Sequence, residues 1–223
     1  MKKTTLTLRQ HKDLLRYFDQ ESPHHISSEL KEQIIASGEA LAFSRGEIII
    51  REGEVNTNVY ILVEGLAYFW HWDGNTEKAW AFSSPGSVTI SFHSYQLGMP
   101  ASESYEACTP CTLLRIGKAT FERLLEQSHD FALWWMKNLH MQMFCFEYKR
   151  VLFQGSVKER YLSMITGRPE IIKNVKLKHI ASYLGTSLQY LSRLRRELEQ
   201  EGIQPRQDNS DPTREQLSQL GFN

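Results

Sequence analysis

The chain has 223 residues, 41% hydrophobic and 23% charged, with 26 Lys+Arg balanced by 26 Asp+Glu. That composition excludes a largely disordered chain, and no apolar run approaches the ~18 residues of a membrane-spanning helix. Three cysteines (Cys108, Cys111, Cys145) make no disulfide scaffold, and Lys2-Lys3 lead into no apolar stretch like that of a secretory leader, so a reducing cytoplasm is expected.

Leu14 to Ser37 reads as short helices. Leu14, Leu15 and Phe18 form one apolar face, Ile26, Leu30, Ile34 and Ile35 another, with Ser27 or Ser28 as a cap. From Ala40 to Ile116 the period changes. Short β-branched and aromatic runs (Ile48 to Ile50, Val59 to Val63, Leu66 to Trp72, Lys78 to Phe82, Leu113 to Ile116) alternate with turn residues such as Arg45-Gly46, Glu52-Gly53, Glu64-Gly65, Asp73-Gly74 and Pro85-Gly86. That spacing predicts an antiparallel barrel or sandwich, with a hairpin at Asp73-Gly74.

Helical periodicity returns with Ala119 to Glu126 and a long helix from Ser128 to about Gln154. Phe131, Trp134, Asn138, Met141, Cys145, Tyr148 and Leu152 step by three and four, a heptad seam that predicts a helix-to-helix dimer. Asn138 is its one polar member. Shorter helices follow from Val157 to Gln200, broken at Gly167-Arg168-Pro169 and at Gly185. The residues from Gln204 on are polar and expected to be loose.

The zero net charge hides an asymmetry. Met1 to Ser156 carries 15 Lys+Arg against 18 Asp+Glu, Val157 to Arg206 carries 10 against 5, and Gln207 to Asn223 carries 1 against 3. A basic segment in a neutral chain points to a polyanion. Within it, Ala181 supplies the small residue where two crossing helices touch, and Gly185, four positions on, the turn. Ile180, Leu184, Leu191 and Leu194 fill the space between, and Ser187 caps the second helix. This is a helix-turn-helix pattern. Its second helix offers Gln189, Tyr190, Ser192, Arg193 and Arg196, and Gln and Arg pair bidentately with base edges in the major groove. Lys176, Lys178 and Thr186 suit phosphates, and Ser187 is counted with the DNA-binding residues.

With these motifs in order, the chain resembles a transcription regulator of the cyclic-AMP receptor / fumarate-nitrate regulator (Crp/Fnr) family. The β region carries the run Arg45-Gly46-Glu47, Arg51-Glu52-Gly53-Glu54, Tyr60-Ile61-Leu62 and Glu64-Gly65. The resemblance implies an α+β fold: a jelly-roll barrel of cyclic-nucleotide-binding type over 1–127, a dimerisation helix over 128–155 and a (winged) helix-turn-helix domain over 156–223. It also implies a homodimer on a palindromic operator in double-stranded DNA. The sequence departs from the family in two places. Ile90-Ser91 stands where the family's ribose-binding Gly-Glu pair is expected, and Ala101-Ser102 where its Arg-Ser pair grips the cyclic phosphate. Ser91, Phe92, Ala101 and Ser102 are thus the candidate effector pocket, with weak or no cyclic-AMP binding expected. Leu188-Gln189 replaces the Arg-Glu that opens the family's recognition helix, so a different operator is expected. The family's wing is hard to see in Gly202 to Arg206.

Cys108-Thr-Pro-Cys111 has redox-motif spacing but ends a strand, away from the helix N-termini that activate thiolates, so core cysteines are expected. The eight histidines do not cluster. No metal site, cofactor or catalytic constellation is recognisable, and an enzyme is not expected. The alternative from another class is a ligand-binding or redox-sensing protein acting through protein partners, with a vestigial DNA-binding head.

Overall fold

The computed structural model describes residues 1–20 and 24–204. The tail expected to be loose lies outside the described residues from Pro205 on, as does the end of the segment read for a wing.

The chain opens with β1 (Lys2–Lys3), α1 (Leu8–Gln20) and α2 (Ser28–Ala36). Ser27, of the two candidate serines, caps α2, its hydroxyl accepting from the Leu30 N–H. The barrel strands follow: β2 (Glu39–Phe43), β3 (Ile48–Ile50), β4 (Val59–Glu64), β5 (Ala67–Asp73), β6 (Thr76–Ser83) and β7 (Val88–Thr89). After the short helix α3 (Phe92–Leu97) come β8 (Ser104–Ala107) and β9 (Cys111–Ile116). Two antiparallel sheets result, in the orders β1-β2-β9-β4-β7 and β3-β8-β5-β6. Two antiparallel sheets in these orders make a jelly-roll barrel. The Asp73-Gly74 turn joins β5 to β6, with Asp73 opposite Thr76 and Gly74 at φ +60. Gly65 turns β4 into β5 at φ +96, where a Cβ would fall 2.3 Å from the Pro110 carbonyl oxygen. Only glycine fits there.

The remaining elements are helices: α4 (Lys118–Gln127), α5 (His129–Leu152), α6 (Val157–Gly167), α7 (Pro169–Asn174), α8 (Leu177–Tyr183) and α9 (Leu188–Gln200). Ser128 caps α5 by accepting from the Phe131 N–H. Ser156 and Glu159 close a reciprocal capping box on α6. Among the described residues no helix is long and apolar enough to cross a membrane.

Three apolar clusters hold the fold. One fills the space between the two sheets, around Leu41, Leu62, Tyr105 and Leu113. A second packs α1, α2, α4 and the start of α5 against the sheet of β4. The third joins Tyr68, Trp70, Ala79 and Phe82 of the β5–β6 hairpin to Tyr161, Ile171, Ile180 and Leu194 of the C-terminal helices. Barrel and C-terminal helices therefore share one core.

The seam read along α5 needs correction. Phe131, Trp134 and Asn138 are buried under their own chain. Phe131 stacks on Trp134, and Trp134 donates its indole N–H to the Phe18 carbonyl at 2.8 Å. Gln142 bridges Asn138 Oδ1 and the Val88 carbonyl, so the polar residue works within the chain. Met141 and Leu152 are half-buried, and only Cys145 and Tyr148 are exposed. The outward apolar stripe is another one, stepping 4, 3, 4, 3 through Ala132, Met136, Leu139, Met143 and Phe146. Met136 is 41%, Met143 66% and Phe146 50% exposed. The helix carries apolar residues on nearly every side, so its periodicity admits two seams. The large aromatics choose the one that the barrel covers.

Candidate nucleic-acid interface

Helices α8 and α9 are set by local chemistry. The turn between them needs a left-handed residue, and Gly185 takes φ +67. The Thr186 N–H donates to the Ala181 carbonyl at 3.0 Å, closing the turn on the buried small residue. Ser187 caps α9, accepting from the Tyr190 N–H at 3.1 Å. Leu191, Leu194 and Leu198 point into the shared core.

The opposite side of α9 is open and basic. Gln189, Arg193 and Arg196 follow at steps of four and three along one face and are exposed, as are Tyr190 and Ser187. The Arg193 guanidinium lies 5.4 Å from the centre of the Tyr190 ring and 3.7 Å from Glu197. An exposed pair of this kind is worth a few tenths of a kcal/mol, so it is readily exchanged for a stronger partner. Ser192 and Thr186 are only half-buried. Lys176 and Lys178 are exposed at the start of α8, and Lys178 lies 3.7 Å from Glu77 of β6.

Three arginines outside the predicted DNA-binding set hold this head in place. Arg160 donates to the Phe153, Gly155 and Leu184 carbonyls, tying the end of α5 to the end of α8. Arg168 donates to the Phe82 carbonyl and to Ser84 Oγ, and Arg45 to the Asn174 carbonyl. No short motif gives them this role, because all but one of their partners are backbone oxygens brought near by the fold.

The four candidate pocket residues are not brought together inward. Ser91 is buried and caps α3, accepting from the Ser94 N–H. Ala101 is buried and exchanges backbone hydrogen bonds with Gly53 and Glu54. Phe92 is 50% exposed, and Ser102 is exposed. Phe92 is the first residue of α3, and Ser102 lies in the bend before β8.

Comparison with known proteins fits this geometry. Residues 40–128 match the family model described as "Cyclic nucleotide-binding domain". The match spans the barrel strands and α4. Among solved structures, FixK2 from Bradyrhizobium japonicum is similar at 18% identity and a TM-score of 0.62, over 74% of this chain and 86% of that one. A putative cAMP-binding regulatory protein from Silicibacter pomeroyi is similar at 15% identity and a TM-score of 0.60, over 86% and 88%. A CooA mutant from Carboxydothermus hydrogenoformans gives 14% and 0.58, over 79% and 83%. These likenesses show a shared fold, two antiparallel sheets followed by a helical C-terminal region. No curated protein sequence matches the chain.

Aromatic side chains pack in a row across the barrel. Phe69 of β5 stacks on Tyr105 of β8 at 4.5 Å and meets Trp80 of β6 in a tilted contact at 5.3 Å. Trp80 continues the stack to Phe146 of α5 at 5.9 Å. Two carboxylates lie beside it. Trp80 donates its indole N–H to Glu103, and Glu52 Oε2 is buried with no hydrogen-bond partner. Burial pushes the Glu103 carboxyl up to about 7, with the Glu52 charge adding to it and the Trp80 bond opposing it. Lys149, caged by Trp80, Phe153 and Tyr183, is pushed down to about 8 by burial. Cys108 and Cys111 are buried, and burial pushes their thiols up to about 12 and about 11, far from the thiolate form.

The Glu103 shift has a definite sign. A carboxyl raised in the folded state costs nothing while protonated and its full cost when ionised, so stability falls as pH rises from its ordinary value through about 7. Glu103→Gln keeps an acceptor for the Trp80 N–H and removes the charge. The variant is expected to be more stable than the wild type by up to about 3 kcal/mol at pH 8 and equal to it at pH 4. Urea melts at the two pH values check this, and a gain independent of pH would refute it.

Proposed function

We propose that the protein is a homodimeric, sequence-specific DNA-binding transcription regulator that reads a two-fold symmetric operator without cyclic nucleotide. The carrying observation is the open basic face of α9, with Arg193 at its centre, on a helix pair closed by Ala181, Gly185 and Ser187. That face matches the depth and hydrogen-bonding pattern of the major groove. The cytoplasm is the compartment in which such a protein acts, and no enzymatic activity is assigned to it.

The dimer is assigned to the Ala132, Met136, Leu139, Met143 and Phe146 stripe. Its heptad spacing suits a two-helix seam, and water-exposed methionine and phenylalanine side chains gain by burial against their copies. Independence from cyclic nucleotide rests on two features of the domain. Ala101 stands at the position that the family resemblance assigns to the phosphate-gripping arginine, and a buried phosphate needs a cation there. Phe69, Trp80 and Phe146 also stack across the barrel beside two carboxylates, which repel an anion. Calorimetry with cyclic AMP is expected to give no heat of binding in the micromolar range, and a micromolar site would overturn this part.

Selection of genomic fragments by the purified protein, with no ligand added, tests the whole reading. Enrichment of one two-fold symmetric site is the expected result. Affinity for that site is expected to fall by a factor of about 10³ or more between 50 and 200 mM salt, from six or more phosphate contacts by two heads. A protein acting only through protein partners would enrich no site and show no such fall.

A further inference from the structure

The outer edge of β6 is unusual. β6 ends its sheet, in the order β3-β8-β5-β6, and an edge strand leaves N–H and C=O groups unpaired. Helix α8 takes the place of the next strand. The Ala79 N–H donates to Ser182 Oγ at 2.9 Å, and the Ser182 hydroxyl donates to the Glu77 carbonyl oxygen at 3.0 Å. One hydroxyl thus satisfies two adjacent edge groups. One turn earlier on α8, His179 is buried, with Nδ1 2.7 Å from Glu77 Oε1. The Tyr68 hydroxyl also donates to that carboxylate at 3.1 Å, and the His179 and Tyr68 ring centres are 4.6 Å apart. Tyr183 packs on Phe82 at 5.2 Å and completes the cage around Lys149.

These contacts join the barrel to the first helix of the reading pair, and α8 packs directly on α9. Arg168 and Arg45 also tie the head to the barrel, through α7 and its flanks, but the β6 edge is where polar contacts reach α8 itself. A dimer reads a palindrome only if its two recognition helices stand about one helical turn of DNA, ~34 Å, apart.

We propose that the β6 edge is the dock that fixes the separation of the two DNA-reading helices, with Ser182, His179 and Glu77 as its positioning residues. This rests on the reading of the protein as a dimeric DNA-binding regulator. It differs from an inhibitory clasp in its consequence, because Gln189, Tyr190, Arg193 and Arg196 stay exposed in the docked arrangement. Docking orders the head and leaves its reading face free.

The test is a set of operators with the same two half-sites at varied spacing, bound by wild type, Ser182→Ala and Ser182→Thr. The wild type is expected to prefer one spacing over those 2 base pairs longer or shorter by roughly tenfold or more. Ser182→Ala, which loses two hydrogen bonds, is expected to cut that preference to roughly threefold or less, with affinity for a single half-site unchanged. Ser182→Thr keeps the hydroxyl and is expected to restore it. A spacing profile unchanged in Ser182→Ala overturns the proposal, as does equal wild-type affinity at all spacings. A rise in affinity at every spacing also overturns it, by making the dock a brake. A second measurement needs no DNA. With Cys145→Ser and a spin label at Gln200→Cys, the distance between the two heads is expected to be narrowly distributed, and broadened by Ser182→Ala. A distribution already broad before that change, or unaltered by it, overturns the dock even if DNA binding is established. Absence of all DNA binding with a narrow, Ser182-dependent distribution would sink the regulator reading and retain the dock.

Discussion

Met143→Glu is expected to turn the protein into a monomer in light scattering and to weaken operator binding by about 100-fold or more. The side chain is 66% exposed and lies mid-stripe on α5, so the change costs the single chain little. In a dimer it sets two carboxylates against each other in a dehydrated seam, where like charges repel strongly. Losing the dimer removes the second head's binding as an intramolecular event, an advantage of about 10² to 10⁴. The informative control is Tyr148→Glu, also exposed but on the other side of the helix, in the seam that the heptad reading selects. A dimer that survives Met143→Glu and is split by Tyr148→Glu would return the interface to the heptad seam.

That pair of variants marks where the sequence is ambiguous. The α8–α9 turn is legible because its demands are local: a small residue at Ala181, a left-handed one at Gly185 and a capping hydroxyl at Ser187, within seven positions. The β region is legible for a similar reason, since turn residues punctuate runs of β-formers at strand spacing. α5 is different. Apolar residues occur on nearly all its sides, and only the barrel's need for Phe131 and Trp134, satisfied through Phe18 and Phe121, decides which face is outward. The candidate pocket is legible only in part. Ser91 and Ala101 are buried, but Phe92 and Ser102 face solvent, and the aromatics that stack across the barrel come from β5, β6, β8 and α5. The dock is invisible to any pattern reading. Glu77 and His179 are 102 positions apart, and Ser182 serves it through a hydroxyl that sequence alone would leave in solvent.

Arg193→Ala is expected to abolish discrimination between operator and random DNA while leaving most non-specific affinity. A bidentate Arg–guanine contact contributes about 1–3 kcal/mol of discrimination, and a two-fold dimer makes it twice, so the loss is roughly 30-fold to 10⁴-fold in the specificity ratio. The guanidinium is well placed for the contact. The Tyr190 face holds it at 5.4 Å, and Glu197, at 3.7 Å, takes up one edge until a base replaces it. Arg193→Lys keeps the charge and loses the fork, so it is expected to rescue non-specific affinity but not discrimination. Arg196→Ala provides the contrast if it serves phosphates: affinity should fall for operator and random DNA alike, and the salt slope should decrease by about one per head. Competition binding with both DNAs over a salt series separates these outcomes. Unchanged operator preference in Arg193→Ala would remove this residue from the reading face and move the guanine contact to Arg196 or Gln189.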